Sequence, residues 1–195
     1  MNVVGLTGYA GSGKSTVANY LVEGHGYTRL SFAGPLKKML RTLDPIIGEQ
    51  YGEAVRLSEV LAVYAGDENG VKQTPVWGDE YRRLLQVLGT DCIRAVDPDF
   101  WVKAAVAQMT DEDGLYVFDD VRFPNEAQVI KDLNKWGLWN VQRSGYEAVN
   151  GHTSEQWAGK MDEWQVIYNT NSLEFLHSEV DRALRLAFSD TAAVV

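Results

Sequence analysis

The sequence predicts an α/β fold: a five-stranded, mostly parallel sheet covered by helices on both faces. Three observations carry this. Short apolar runs alternate with stretches of helical spacing, the order that builds crossover units. The first apolar run, "NVVGLT", ends in a glycine-rich turn that leads straight into a helical pattern. With 195 residues, 45% apolar and 23% charged, the chain can bury one substantial core.

The elements follow in order. From Lys14 the spacing is helical, with Val17, Ala18, Leu21 and Val22 on one face. "TRLSFA" reads as a second strand. Pro35 opens a helix carrying Leu36, Met39, Leu40 and Leu43. Residues 44–76 are less regular, with a helix expected at 57–64 and "DENGVKQTP" expected as an exposed loop. Helical patterns resume at 79–88 and 99–109, the latter with Trp101, Ala104, Ala105 and Met109 on one face. "LYVF" is a third strand. Pro124 suits the first turn of a helix, where its missing N–H costs nothing. That helix presents Ala127, Ile130 and Leu133 and stops near Gly137. "LWNVQR" is a fourth strand, residues 144–163 are polar, and "EWQVIYN" is a fifth strand. Asn171 and Glu174 resemble a capping box opening a last helix through Leu186, and a frayed end follows.

Composition narrows the function. No apolar stretch approaches the roughly 20 residues that span a bilayer, and "MNVVGLTG" lacks the basic segment of a signal peptide. A cytoplasmic protein with no membrane partner is expected. Cys92 is the single cysteine, so no internal disulfide or cysteine metal cluster forms, and it reads as a small buried hydrophobe. A net charge of −9 argues against a nucleic acid polymer as partner. Small phosphorylated ligands need only local cations, and these occur in groups: Lys37, Lys38 and Arg41; Arg82 and Arg83; then Arg94, Arg122 and Arg143. Trp136, Trp139, Trp157 and Trp164 fall in or near expected turns, which permits a homo-oligomeric interface.

Between the first strand and helix, residues 8–15 read "GYAGSGKS", a match to G-x-x-x-x-G-K-[ST]. Gly8, Gly11 and Gly13 let the backbone of Ala10 and Ser12 curl, so that several N–H groups point at one phosphate. The following helix, with Thr16 in its first turn, adds its positive dipole end. Lys14 reaches the β- and γ-phosphates, and Ser15 offers a hydroxyl to Mg²⁺. A chance match in this length has a probability on the order of one in a hundred. A nucleoside triphosphate site is expected. Its second carboxylate is expected at the end of an apolar strand, and "LYVFDD" supplies Asp119 and Asp120. Alternation aims the two in opposite directions, one at the metal and one at an acceptor. Arg122 reads as a cation for a second anion.

Other phosphate-loop families fit less well. A GTPase needs a late N-K-x-D segment, and none occurs. A remodelling ATPase would place glutamate after its aspartate, where Asp120 and Val121 stand. A dephospho-coenzyme A kinase would carry a glutamate-ended apolar segment unlike "VRFPNEA".

Five stretches in order, "GLTGYAGSGKST", "LSFAGPLKKML", "LLQVLGTDCIRAVDPDFWV", "VFDDVRFPNEA" and "VQRSG" followed by "HTSE", resemble the phage-type deoxynucleoside monophosphate kinases over residues 5–155. The resemblance implies a P-loop kinase fold with strand order 2-3-1-4-5. It implies one domain over residues 1–195, with a helical monophosphate-binding region at about 34–110 and a lid at about 144–163. It implies transfer of the ATP γ-phosphoryl group to a deoxynucleoside 5′-monophosphate, with Mg²⁺ as cofactor and, for a phage protein, the host cytoplasm as location. It favours Asp120 as the functional aspartate, holding metal with Ser15 and serving Lys14, Arg122 and Arg143 in catalysis. Acceptor-side expectations are Lys37 and Arg41, which share a helix face, Gln86 as a base reader, Arg94 as a clamp, Asp99 on the sugar or capping its helix, Trp101 either stacked on the base, closing off the sugar or packed in the core, and Glu155. Asn169 is expected beside the donor adenine by analogy. The alternatives are a P-loop kinase of another small metabolite and an ATPase switch.

Overall fold

The computed structural model describes residues 2–145, 157, 159–170 and 172–189. The chain forms two compact units: residues 1–32 with 105–195, and residues 33–104.

The first unit contains strand β1 (Asn2–Thr7), helix α1 (Lys14–His25) and strand β2 (Thr28–Leu30) before the second unit begins. It resumes with β5 (Leu115–Phe118), α7 (Pro124–Leu133), β6 (Leu138–Gln142), β7 (Gln165–Tyr168) and α8 (Leu173–Ser189). Five strands form one sheet in the order β2-β5-β1-β6-β7, and every pairing is parallel. This is the expected 2-3-1-4-5 order. The central strands are apolar throughout because both faces are covered. On one face, Val17, Ala18 and Leu21 of α1 and Leu176, Val180 and Ala183 of α8 pack against Val4, Leu6, Val117 and Trp139. Burial of Val17 and Leu21 contributes about 1.5–3 kcal/mol each. The opposite face is covered by α7, whose Ile130 is fully buried.

Helix α7 starts where the sequence placed it. Pro124 sits in its first turn, and buried Glu126 accepts hydrogen bonds from the backbone N–H groups of Arg122 (2.8 Å) and Phe123 (3.1 Å). This capping arrangement shapes the "VRFPNEA" segment. The strand "TRLSFA" is shorter than expected, covering Thr28–Leu30 only. Asn171 lies outside the described residues, and Ser172 accepts from Phe175 N–H (3.3 Å) at the start of α8.

The second unit holds α2 (Gly34–Leu43), the antiparallel pair β3 (Ile46–Gln50) and β4 (Glu53–Arg56), α3 (Leu57–Val63), α4 (Glu68–Gln73) and α5 (Gly78–Gln86). A π-helical segment, Val87–Arg94, continues from α5, and the division between units falls within α6 (Phe100–Val106). Its core joins Leu40, Ile47, Leu57, Val60, Val71 and Tyr81. The structure departs from expectation at several points here. The stretch read as irregular contains the β3–β4 hairpin. The stretch read as an exposed loop contains α4, because Val71 is fully buried and Asp67 accepts from Asn69 N–H at the helix start. Cys92 is exposed, not buried. Trp139, expected in or near a turn, is a fully buried core residue of β6. Among the described residues, no helix is long and apolar enough to cross a membrane.

Candidate active site

Parallel strands present their C-terminal ends together, and in the first unit this edge collects the polar residues. After β1 the chain curls through residues 8–13 and enters α1 at Lys14. Gly8 has φ +136° and Gly13 +107°. A Cβ at Gly8 would lie 2.4 Å from the Val141 carbonyl oxygen, and one at Gly13 would lie 2.4 Å from the Asn169 amide nitrogen. Neither position admits a side chain. The loop is thereby pressed against β6 and the segment after β7.

Helix α1 has no side-chain cap and no acidic residue in its first turn. Its leading N–H groups therefore remain open to an anion, with the helix dipole behind them. Ala10 and Gly11 are exposed at the loop's crest, and Ser15 and Thr16 are exposed on the first helical turn. Lys14 Nζ donates to the carbonyl oxygens of Gly8 (2.7 Å) and Tyr9 (2.8 Å), folding over the loop that it would serve. Ser12 Oγ is buried and has no hydrogen-bond partner among the described residues. Asn169 donates its amide to the Ser12 carbonyl (2.9 Å), and its backbone N–H reaches Gln142 O (2.7 Å). The structure thus brings Asn169 to the phosphate loop, where it braces the turn.

The two aspartates separate as alternation requires. Asp119 follows the face that carries Val117 and meets α1, and Ser15 Oγ donates to its Oδ2 at 3.3 Å. Asp120 points to the other face. Its carboxylate accepts from Ser31 Oγ (2.6 Å) and from the backbone N–H of Phe32 (2.9 Å). The sequence favours Asp120 as the partner of Ser15; in the structure Asp119 stands beside the serine, and Asp120 fixes the turn after β2. A serine hydroxyl facing a carboxylate offers two hard oxygen donors, which fits Mg²⁺. Sequence reasoning also missed Arg29. Its guanidinium pairs with Asp119 Oδ2 and donates to Asn19 Oδ1 (2.8 Å).

Arg122 is exposed just beyond the aspartates. Arg143, at the end of β6, lines a cavity of about 380 Å³ beside the loop with Tyr9, Ser12, Asn140, Gln142 and Lys160. Two cations and the buried Ser12 hydroxyl give this cavity an anion-accepting character. Glu155 and most of the expected lid lie outside the described residues.

In the second unit the expected acceptor residues divide. Gln86 is exposed at the end of α5, Asp99 is exposed before α6, and Arg94 ends the π-helical segment with a long 3.5 Å contact to Pro98 O. Lys37 (2.9 Å) and Arg41 (2.7 Å) converge on buried Glu68, with the Lys37 side chain 25% exposed and that of Arg41 54% exposed. Burial and the Glu68 anion push the neighbouring Tyr81 hydroxyl well above its ordinary range. Trp101 is 2% exposed, and its indole N–H donates to Gly89 O at 2.8 Å. Of the readings open for Trp101, core packing is the one that matches: both its ring and its donor are consumed in the core.

Known proteins match this chain along most of its length. A family model described as deoxynucleotide monophosphate kinase matches residues 71–180. A protein of Acanthamoeba polyphaga mimivirus assigned as a deoxynucleotide monophosphate kinase is 30% identical, covering 92% of this chain and 94% of its own. The deoxynucleotide monophosphate kinase of Enterobacteria phage T4 is 24% identical, with 95% and 100% covered. The deoxynucleoside-5′-monophosphate kinase of Escherichia phage T5 is 26% identical, with 68% and 72% covered.

Proposed function

The chain belongs to the deoxynucleotide monophosphate kinase family, and from that premise we propose that it transfers the γ-phosphoryl group of ATP to a deoxynucleoside 5′-monophosphate, releasing ADP and the diphosphate. The observation that carries the chemistry is the loop of residues 8–13, braced by Asn169 and opening onto an uncapped α1.

The loop's N–H groups and the α1 dipole hold the donor phosphates. Lys14 exchanges the Gly8 and Tyr9 carbonyls for phosphate oxygens, a trade favoured by the charge of the new partner. Ser15 and Asp119 are the residues that would hold Mg²⁺, which supplies charge neutralisation across the transferring phosphoryl group. Arg143 adds a cation from the cavity flank. The acceptor is a phosphate whose second pKa is about 6, so it arrives ionised at neutral pH and needs no general base. Positioning and positive charge are then the whole catalytic requirement.

In the first unit, Arg122 is assigned to the acceptor phosphate; the acceptor residues carried over from the family resemblance in the second unit are Gln86, Arg94 and Asp99, each considered within its own unit. Lys37 and Arg41 join this set only by giving up Glu68. The expected setting is the cytoplasm, with small nucleotides and no nucleic acid polymer as partners. The test is product analysis with ATP, Mg²⁺ and each of the four common deoxynucleoside monophosphates. Diphosphate from at least one supports the reading, and ATP consumption that ignores all four acceptors refutes it.

A further inference from the structure

Arg29 has no part in the scheme above, yet it occupies the carboxylate on which the scheme depends. The register pairs Arg29 of β2 with Val117 of β5. Paired residues share a face, and so do Val117 and Asp119 two positions on. A long side chain spans that diagonal. The arginine's fork is held at both tips: one nitrogen donates to Asn19 Oδ1 at 2.8 Å, and the other pairs with Asp119 Oδ2. That same Oδ2 accepts from Ser15 Oγ. Asp119's side chain is 12% exposed, so little water remains to balance its charge, whereas Arg29 at 39% has solvent to move into.

We propose that Arg29 is a positioning residue that stands in for the metal at Asp119, neutralising the carboxylate until Mg²⁺ arrives and then yielding Oδ2 to it. The proposal rests on the nucleotide reading of the cradle. Its physical basis is a charge conflict. A bare carboxylate beside Ser15 would repel a metal-free triphosphate, and a dication removes that repulsion by itself. Arg29 is therefore needed only when metal is absent, and it competes with metal for one oxygen. Because linkage is reciprocal, weakening the arginine must strengthen the coupling between metal and nucleotide. Asn19 serves as the second anchor, which keeps the guanidinium aimed while it waits.

The test is equilibrium binding of a non-hydrolysable ATP analogue, with chelator and with saturating Mg²⁺, to wild type, Arg29→Gln, Arg29→Lys, Asp119→Asn and the Arg29→Gln/Asp119→Asn double variant. Arg29→Gln is expected to weaken metal-free binding by about tenfold, a screened single-charge effect. Binding with Mg²⁺ should stay within about threefold of wild type, since the dication supplies the lost charge. Arg29→Lys should restore metal-free binding, and in the Asp119→Asn background the Arg29→Gln change should cost nothing further. Equal losses with and without metal would overturn the proposal by making Arg29 a direct phosphate ligand. No change in either condition, with an altered melting midpoint, would overturn it by making the pair purely structural. If wild type fails to bind the analogue even with Mg²⁺, the nucleotide reading falls and takes this proposal with it.

Discussion

Replacing Asp120 with alanine separates the two aspartates by experiment. The change removes an acceptor for Ser31 Oγ at 2.6 Å and one for Phe32 N–H at 2.9 Å, and Phe32 is only 2% exposed. Hydrogen bonds to a charged group contribute about 1.5–3 kcal/mol each when well buried. Asp120 is partly exposed, so screening reduces the pair to about 2–3 kcal/mol in total. For a chain of this length, that lowers the melting midpoint by about 4–12 °C. Because Asp120 faces away from Ser15, binding of a Mg²⁺-loaded ATP analogue to the folded protein should change by less than about threefold, or ~0.6 kcal/mol. Thermal unfolding and a binding titration on the same preparation read both numbers. An unchanged midpoint together with lost Mg²⁺-dependent binding would place the metal on Asp120 and refute the reasoning.

Asp119→Asn should show the reverse pattern: turnover reduced at least about a hundredfold and a higher Mg²⁺ requirement, with the melting midpoint little changed. Trp101→Ala should cost about 3–5 kcal/mol through the cavity it leaves. Trp101→Phe should leave the acceptor KM unaltered; a raised acceptor KM in a stable Trp101→Phe protein would restore the stacking role. Burial pushes the Tyr27 hydroxyl from 10.0 up to about 12. The folded chain therefore keeps this proton to higher pH than the unfolded chain, and the associated stability is complete below pH 10 and lost as pH rises toward about 12. Unfolding followed across that window, alongside tyrosinate absorbance, checks the direction.

The parts of the fold that could be read in advance were those with local signals. The phosphate loop needs glycine where φ is positive, and the alternation of "LYVFDD" alone shows that its aspartates diverge. Which aspartate meets Ser15 is a non-local fact: it depends on β5 presenting Val117 to α1, where Val17 and Leu21 bury it. Arg29 was hidden for the same reason, since it reaches Asp119 only through the β2–β5 register. The β3–β4 hairpin turns at Tyr51 and Gly52, with φ +55° and +83°. A tyrosine there lacks the Asn-Gly signature by which such turns announce themselves. Helix α4 is polar in sequence and forms because Val71 enters a core and Glu68 finds Lys37 and Arg41, partners supplied from α2. Trp101's spacing on its helix was visible, but spacing does not reveal that Gly89 takes its N–H.

The account's central claim is that the terminal phosphoryl group crosses to a phosphate acceptor rather than to water. ATP labelled at its γ-phosphorus, incubated with the protein, Mg²⁺ and a deoxynucleoside monophosphate, tests it directly. The account predicts the label in the β-position of a deoxynucleoside diphosphate, at a rate that vanishes without acceptor. Label released as inorganic phosphate at the same rate with and without acceptor would contradict it.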